Sequence, residues 1–213
     1  MSAVAAIWLD TTSMSQADRD KWDKRYREGS YGTRTYPTEL LTEWLPRLPK
    51  GRALDVACGT GRNALYLAAA GYTVDGIDIS SIALQRLKET ACTRNLTVKC
   101  IEIDLDSEPL PYQCYDLIVL VRYRSTSLIS RLLPLLNEGG YFFCEEHLTT
   151  NANVIGPSSP SFRVKPGELE KLSENLNVLF YSEGIVKDPD GRRAALARLI
   201  AKRSANKPIL SDS

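Results

Sequence analysis

Asp55-Val56-Ala57-Cys58-Gly59-Thr60-Gly61-Arg62-Asn63 follows a short apolar segment that starts at Arg52 and precedes Ala64-Leu65-Tyr66-Leu67-Ala68-Ala69-Ala70, which Gly71 closes. The pattern is that of a strand turning through small residues directly into a helix. Small side chains at 57, 59 and 61 let a ligand approach the backbone, and the helix offers it the unsatisfied N–H groups of its first turn. The next apolar segment ends at Gly76-Ile77-Asp78. A carboxylate there stands beside the loop, where it can accept hydrogen bonds from both hydroxyls of a ribose.

Outward from this loop, short apolar segments alternate with helical ones, the signature of a parallel sheet covered on both faces. The periodicity predicts strands over about 52–57, 73–78, 97–103, 115–121 and 140–146 and helices over about 61–70, 80–92 and 126–137. Gly71 and Gly139 read as C-caps, and Pro134 predicts a kink or early break in the third of these helices. A long loop, 148–165, leads to a helix starting at Pro166-Gly167-Glu168. Two further strands, about 176–185 and 193–202, flank the turn Asp188-Pro189-Asp190-Gly191, where Pro presets φ and Gly permits φ > 0. Upstream, Ser15-Gln16-Ala17-Asp18 resembles a capping box opening a short helix that carries Trp22 and Tyr26 and stops at Gly29. A second helix from Pro37 or Thr38 carries Leu40, Leu41, Trp44 and Leu45 up to Pro46. Residues 1–15 and 204–213 read as loose tails around a single domain over 16–203.

The chain has 213 residues, with 27 Lys+Arg against 26 Asp+Glu, a formal net charge of +1 and 43% hydrophobic residues. That length supports one sizeable core without disulfides or metal. The balanced charge argues against a general nucleic-acid binder, which needs surplus cations to displace counterions. The longest apolar stretches fall far short of the ~20 residues that span a bilayer. The five cysteines are odd in number and include no C-x-x-C pair, so they are expected to be reduced thiols in a cytoplasmic protein.

Gly59-Thr60-Gly61-Arg62-Asn63-Ala64 with Asp78 also satisfies the loose G-x-G-x-x-A dinucleotide fingerprint, so a nicotinamide-dependent reductase is one reading. Three features favour another ligand. Asp55 at the strand end repels a pyrophosphate but suits an ammonium. Asp104, closing the third strand, can meet the edge of an adenine. Only about sixty residues follow the fifth strand, and they read as a hairpin completing the sheet, not as a substrate domain. An ammonium, a ribose and an adenine without phosphate describe S-adenosylmethionine.

Over roughly 18–203 the sequence resembles class I S-adenosylmethionine-dependent methyltransferases. Gly61-Arg62-Asn63-Ala64-Leu65-Tyr66-Leu67-Ala68-Ala69-Ala70-Gly71-Tyr72 is similar to the matching stretch of the small tellurite-resistance (TehB-like) members. So are Trp22 and Tyr26, Phe162-Arg163-Val164-Lys165-Pro166-Gly167-Glu168-Leu169, and Asp188-Pro189-Asp190-Gly191-Arg192. The resemblance implies an α/β, doubly wound, Rossmann-like seven-stranded sheet of order 3-2-1-4-5-7-6 with strand 7 antiparallel, and a helical lid over 16–47. It implies that Asp55, Ala57, Cys58, Gly59, Gly61 and Asn63 surround the methionine end of the cofactor. Asp78 and Ile79 would take the ribose, Asp104 and Leu105 the adenine. Trp22 and Tyr26 would close over it, and Val121 would sit beside the sulfonium. Ala57 replaces the usual first glycine.

Methyl transfer is an in-line displacement at an already activated carbon, so the protein supplies orientation and a water-poor pocket and needs no metal. A base helps only a protonated nucleophile; a thiolate or metalloid oxyanion such as tellurite needs none. The resemblance directs the search for catalytic residues to the end of the fourth strand, Arg122 and Tyr123. Substrate contacts are expected from Arg163, Arg192 and His147, with Arg124 and Glu145 as further candidates. The final hairpin lacks the histidine that tellurite-methylating members carry, a departure on the substrate side alone. A small-molecule acceptor fits a chain without a recognition domain or basic region. A catalytically silent cofactor-binding module is the alternative from another class.

Overall fold

The computed structural model describes residues 4–29, 32 and 34–204, with 4–15 and 126 as backbone alone. The expected tail at 204–213 lies outside the described residues except for Ser204. Helices α1 (Val4–Arg27) and α2 (Glu39–Trp44) precede the sheet. Then β1 (Arg52–Val56), α3 (Arg62–Ala69), β2 (Thr73–Asp78), α4 (Ser81–Thr93) and β3 (Val98–Glu102) form the first wound half. The second comprises β4 (Tyr115–Val121), α5 (Thr126–Leu132), β5 (Leu136–His147), α6 (Glu168–Leu172), β6 (Asn177–Lys187) and β7 (Arg193–Lys202).

The seven strands lie in the order β3-β2-β1-β4-β5-β7-β6. All neighbours from β3 to β5 are parallel, and β7 runs antiparallel to both β5 and β6. This is the expected topology of a Rossmann-like methyltransferase sheet. The strand order reverses between β1 and β4, and ligands of open α/β sheets settle at the carboxyl ends of such a switch point.

Two cores explain the apolar runs. Leu54, Ile118, Leu120 and Phe142 face Leu128, Leu132 and Leu169 of α5 and α6. Their chain neighbours Ala53, Leu117, Val119 and Phe143 face Leu40, Leu41, Leu65, Leu67, Leu84 and Leu87 of α2 to α4. A strand alternates its side chains with period two, so a sheet packed on both faces must be apolar at every central position.

Local signals hold in most places. Gly71, at φ 92°, ends α3 as a Schellman cap, with the Tyr72 N–H on the Leu67 carbonyl. Pro134 breaks α5 early: the helix stops at Leu132, and a 3₁₀ turn, Leu133–Leu135, follows. Gly139 is a correction. It caps no helix but lies at φ 76° within β5, where the register against β4 shifts between Tyr115 and Leu117. The proline frees the chain to join the sheet from Leu136, so the glycine serves a bulge. Upstream, the helical backbone reaches back to Val4, past the capping signal at Ser15, because no Gly or Pro interrupts the segment.

Candidate functional site

The glycine loop leaves β1 at the switch point with Ala57, Gly59 and Gly61 at φ 51°, 55° and 80°. Gly61 caps α3, and a Cβ there would run into the Leu87 side chain, so it keeps α3 close to α4. A Cβ on Gly59 would stand 2.5 Å from the Tyr26 hydroxyl. The aromatic partner from α1 therefore lies directly over this glycine. Ala57 bears a side chain in the left-handed region, a strain of about 1–2 kcal/mol that sites characteristically retain.

Three carboxylates mark successive strand ends. Asp55 is buried and accepts the Ala64 N–H at 2.9 Å, tying β1 to the first turn of α3. Burial pushes its carboxyl up to about 7 against the pull of that N–H. Asp78 accepts the Gly59 N–H at 2.7 Å on one oxygen and the Ser80 N–H at 2.9 Å on the other. Burial raises its pKa, and these N–H groups oppose the shift. Asp104 accepts the Asp106 N–H at 3.0 Å and the Ser107 hydroxyl at 2.7 Å, which folds the chain into a turn around buried Leu105. Ile79 and Val121 are half-buried at the ends of β2 and β4. Cys58 is buried, and burial raises its thiol pKa well above the ordinary value, so it packs as an unreactive thiol.

Helix α1 lies across this end of the sheet. Trp22 and Tyr26 have ring centroids 6.3 Å apart, with Tyr26 buried and the Arg25 guanidinium 4.9 Å from the Trp22 ring. Asp23, which the sequence did not single out, fastens the helix to α4. It accepts the Ser80 hydroxyl at 2.6 Å and the Ile82 N–H at 3.3 Å. A carboxylate on the first turn of a helix satisfies orphan N–H groups and the helix dipole together.

A second network joins the ends of β4 and β5 to the hairpin. Arg122, at φ 59°, donates from Nε to Glu145 at 2.8 Å and through both terminal nitrogens to Asp188 at 2.8 and 2.5 Å. Burial alone would lower its pKa, but the Asp188 hydrogen bond and the Glu145 charge outweigh burial and hold it charged. Glu145 also accepts the Thr38 hydroxyl at 2.6 Å, and the Thr38 N–H reaches Asn63 at 3.1 Å. Arg34 lies 3.7 Å from Asp188. The segment between α1 and α2 is thereby pinned to α3, β5 and the β6–β7 turn. Asn63, expected on the cofactor side, is spent in part on this pinning.

The remaining candidates are engaged locally. Tyr123 reaches Asp106 at 3.5 Å. Arg124 pairs with Glu168 at 2.6 Å. Arg163 donates to the carbonyls of Pro157 and Leu148 at 2.9 Å each, bracing the loop after β5. Arg192 is exposed and closes on Asp190, which also accepts the Tyr36 hydroxyl at 2.6 Å. His147 is buried beneath Gly156, and burial with the charges of Arg122 and Arg163 pushes its pKa down to about 3, so it stays neutral. Among the described residues no helix is long and apolar enough to cross a membrane.

Residues 53–140 match the family model for a methyltransferase domain. The chain is 29% identical over 165 residues to a probable S-adenosyl-L-methionine-dependent methyltransferase, TehB, of Haemophilus influenzae. That match covers 71% of this chain and 57% of the relative, so the chain spans little more than half of that protein's length. The crystal structure of TehB from the same organism superposes with a TM-score of 0.69 at 27% identity, covering 85% of this chain and 67% of that one. A magnesium protoporphyrin IX methyltransferase from Synechocystis, solved with bound SAH, shares the fold at a TM-score of 0.68 and 17% identity, covering 89% of this chain and 99% of that one.

Proposed function

We propose that this chain, a class I S-adenosylmethionine-dependent methyltransferase by fold and domain, binds that cofactor at the switch point and transfers its methyl group to a small-molecule nucleophile, a thiol or a metalloid oxyanion such as tellurite, in the cytoplasm. The observation that carries the reading is the Asp78 carboxylate, anchored to the Gly59 and Ser80 N–H groups beside a loop that Tyr26 covers. Its remaining lone pairs suit the two hydroxyls of a ribose. Asp55 and Asp104 extend the acidic rim to the ends an ammonium and an adenine would occupy. A pyrophosphate would meet carboxylates there, which disfavours a dinucleotide.

When bound, the cofactor supplies a methyl carbon activated by its sulfonium. The chain supplies position. Gly59 and Gly61 allow close approach, Trp22 and Tyr26 exclude water, and Asp23 holds their helix on α4. Arg122 fixes the ends of β4 and β5 and the hairpin relative to one another, so its part is positioning. Tyr123 packs at the rim near Asp106, beside the adenine end. Arg163 and His147 shape the loop after β5.

Thermal unfolding with S-adenosylmethionine, S-adenosylhomocysteine or NADH tests this. A ligand at 100 times its Kd adds about 2.7 kcal/mol, or roughly 5–11 °C for a domain of this size. The first two ligands are expected to stabilise the protein, and Asp78→Ala to abolish the effect. Stabilisation by NADH alone would establish the nicotinamide reading instead.

A further inference from the structure

Glu146 is a buried carboxyl that this reading leaves unused. Along β5, Phe143 joins the core under α2 to α4 and Cys144 the core under α5 and α6. By the period of two, Glu145 faces the first layer and Glu146 the second. Glu145 is consumed by Arg122 and Thr38. Glu146 is only 2% exposed; its carboxyl accepts the Tyr123 N–H, yet Oε1 has no hydrogen-bond partner among the described residues. A buried acceptor left unpaired calls for an explanation in the work of the protein. Tyr123 fastens it at the carboxyl ends of β4 and β5, one residue beyond Arg122, on the side of the sheet where ligands bind.

The cations give an independent indication. Every guanidinium expected to gather an anionic acceptor is engaged: Arg122 by Glu145 and Asp188, Arg124 by Glu168, Arg192 by Asp190, and Arg163 by two carbonyls. His147 is neutral. A site whose guanidiniums are all engaged, three of them by carboxylates, and which keeps one carboxyl oxygen unpaired is built for a neutral acceptor, not an oxyanion.

We propose that Glu146 accepts the proton of the methyl acceptor and that this acceptor is a neutral thiol, an inference that rests on the cofactor reading above. The thiol sulfur bonds to the methyl carbon as the bond from that carbon to the sulfonium breaks, and the electron pair of the broken bond stays with S-adenosylhomocysteine. The thiol proton passes to the Glu146 carboxylate. One cation and one anion are thus converted into a neutral methyl thioether, a neutral coproduct and a neutral carboxyl. The charged and titratable groups that act on Glu146 are Arg122 and Arg124 at the end of β4, beside the Tyr123 N–H, Cys144 on its own face of β5, and the charge of Glu145 from the opposite face. Burial, then the charge of Glu145, raises its pKa to about 8, within the range useful to a general base.

The test is the preference for S-adenosylmethionine over S-adenosylhomocysteine, measured by calorimetry from pH 6.5 to 9.5. The two ligands differ by a methyl group and one positive charge, so the contributions of Asp55 and Asp78 to their common parts cancel in the ratio. An ionised carboxylate facing the sulfonium raises the preference by about tenfold as pH passes 8. Glu146→Gln should remove the rise, and Glu146→Asp should keep part of it. A flat ratio in the wild type, which needs no variant, or an equal rise in Glu146→Gln overturns the role. Binding of neither ligand overturns the cofactor reading, and this inference falls with it. For the acceptor, a panel of aliphatic and aromatic thiols should be methylated faster than tellurite. Equal or faster turnover of tellurite, or none with any thiol, overturns that part.

Discussion

Glu146→Gln should make the ligand-free protein more stable at neutral pH, by a margin that shrinks as pH falls towards 4.5. The carboxyl titrates at its ordinary 4.5 in the unfolded chain and at about 8 in the fold. Between those values the folded state holds a proton that the unfolded state has released. Stability from this group is therefore complete below 4.5 and is lost as pH rises towards 8. Each pH unit inside the window costs about 1.4 kcal/mol, so from pH 5.5 to 7.5 the wild type loses about 2.7 kcal/mol relative to a variant without the ionisation. For a domain of this size that is roughly 5–11 °C in Tm. Asp55, raised from 3.8 to about 7, acts with the same sign in both proteins and cancels in the comparison. The assay is urea or thermal unfolding of both proteins at several pH values. Any constant offset from the amide drops out of the difference. Parallel curves, within about 0.5 kcal/mol across the range, would refute the argument that Glu146 is buried and uncompensated.

Three further outcomes are expected. Gly59→Ala places a side chain at φ 55° and a Cβ 2.5 Å from the Tyr26 hydroxyl; it should cost about 1–3 kcal/mol and displace Tyr26, seen as weaker S-adenosylmethionine binding and altered α1 protection in hydrogen exchange. Arg122→Met takes the bridging guanidinium from Glu145 and Asp188, leaving Asp188 with Arg34 at 3.7 Å, and should destabilise the fold by about 3–5 kcal/mol in urea unfolding, with Arg122→Lys in between. Asp23→Ala removes the strap to Ser80 and Ile82; global stability should fall by about 1 kcal/mol, while amide exchange in α1 accelerates far more than in α4.

The features legible in the sequence are those encoded locally. The alternation of strand and helix, the Asp188-Pro189-Asp190-Gly191 turn and the loop from Asp55 to Asn63 each carry their geometry in adjacent residues, and from them follow the sheet and the position of Asp78. The links that hold α1 and the segment after it are not of this kind. Asp23 meets Ser80 across 57 positions, and Thr38 meets Glu145 across 107. Such pairings exist only once the topology has brought the elements together, and nothing in the spacing of a lone Asp or Thr announces them. Glu145 and Glu146 show the same limit at closer range. Adjacent in a strand, they take opposite faces, and which of the two is neutralised depends on where Arg122 lands. Gly139 is ambiguous in the sequence because a glycine after a helical pattern is equally compatible with a cap and a bulge; the early stop at Pro134 decides between them.

A cofactor site formed by Asp78 beneath Tyr26 can be seen in a crystal structure of the protein with S-adenosylhomocysteine. That site predicts both ribose hydroxyls on the Asp78 carboxylate, the adenine beside Asp104 and Leu105, and the thioether sulfur facing the end of β4 with the Glu146 carboxyl on its far side. A ligand bound elsewhere, or a ribose that leaves Asp78 untouched, would contradict it.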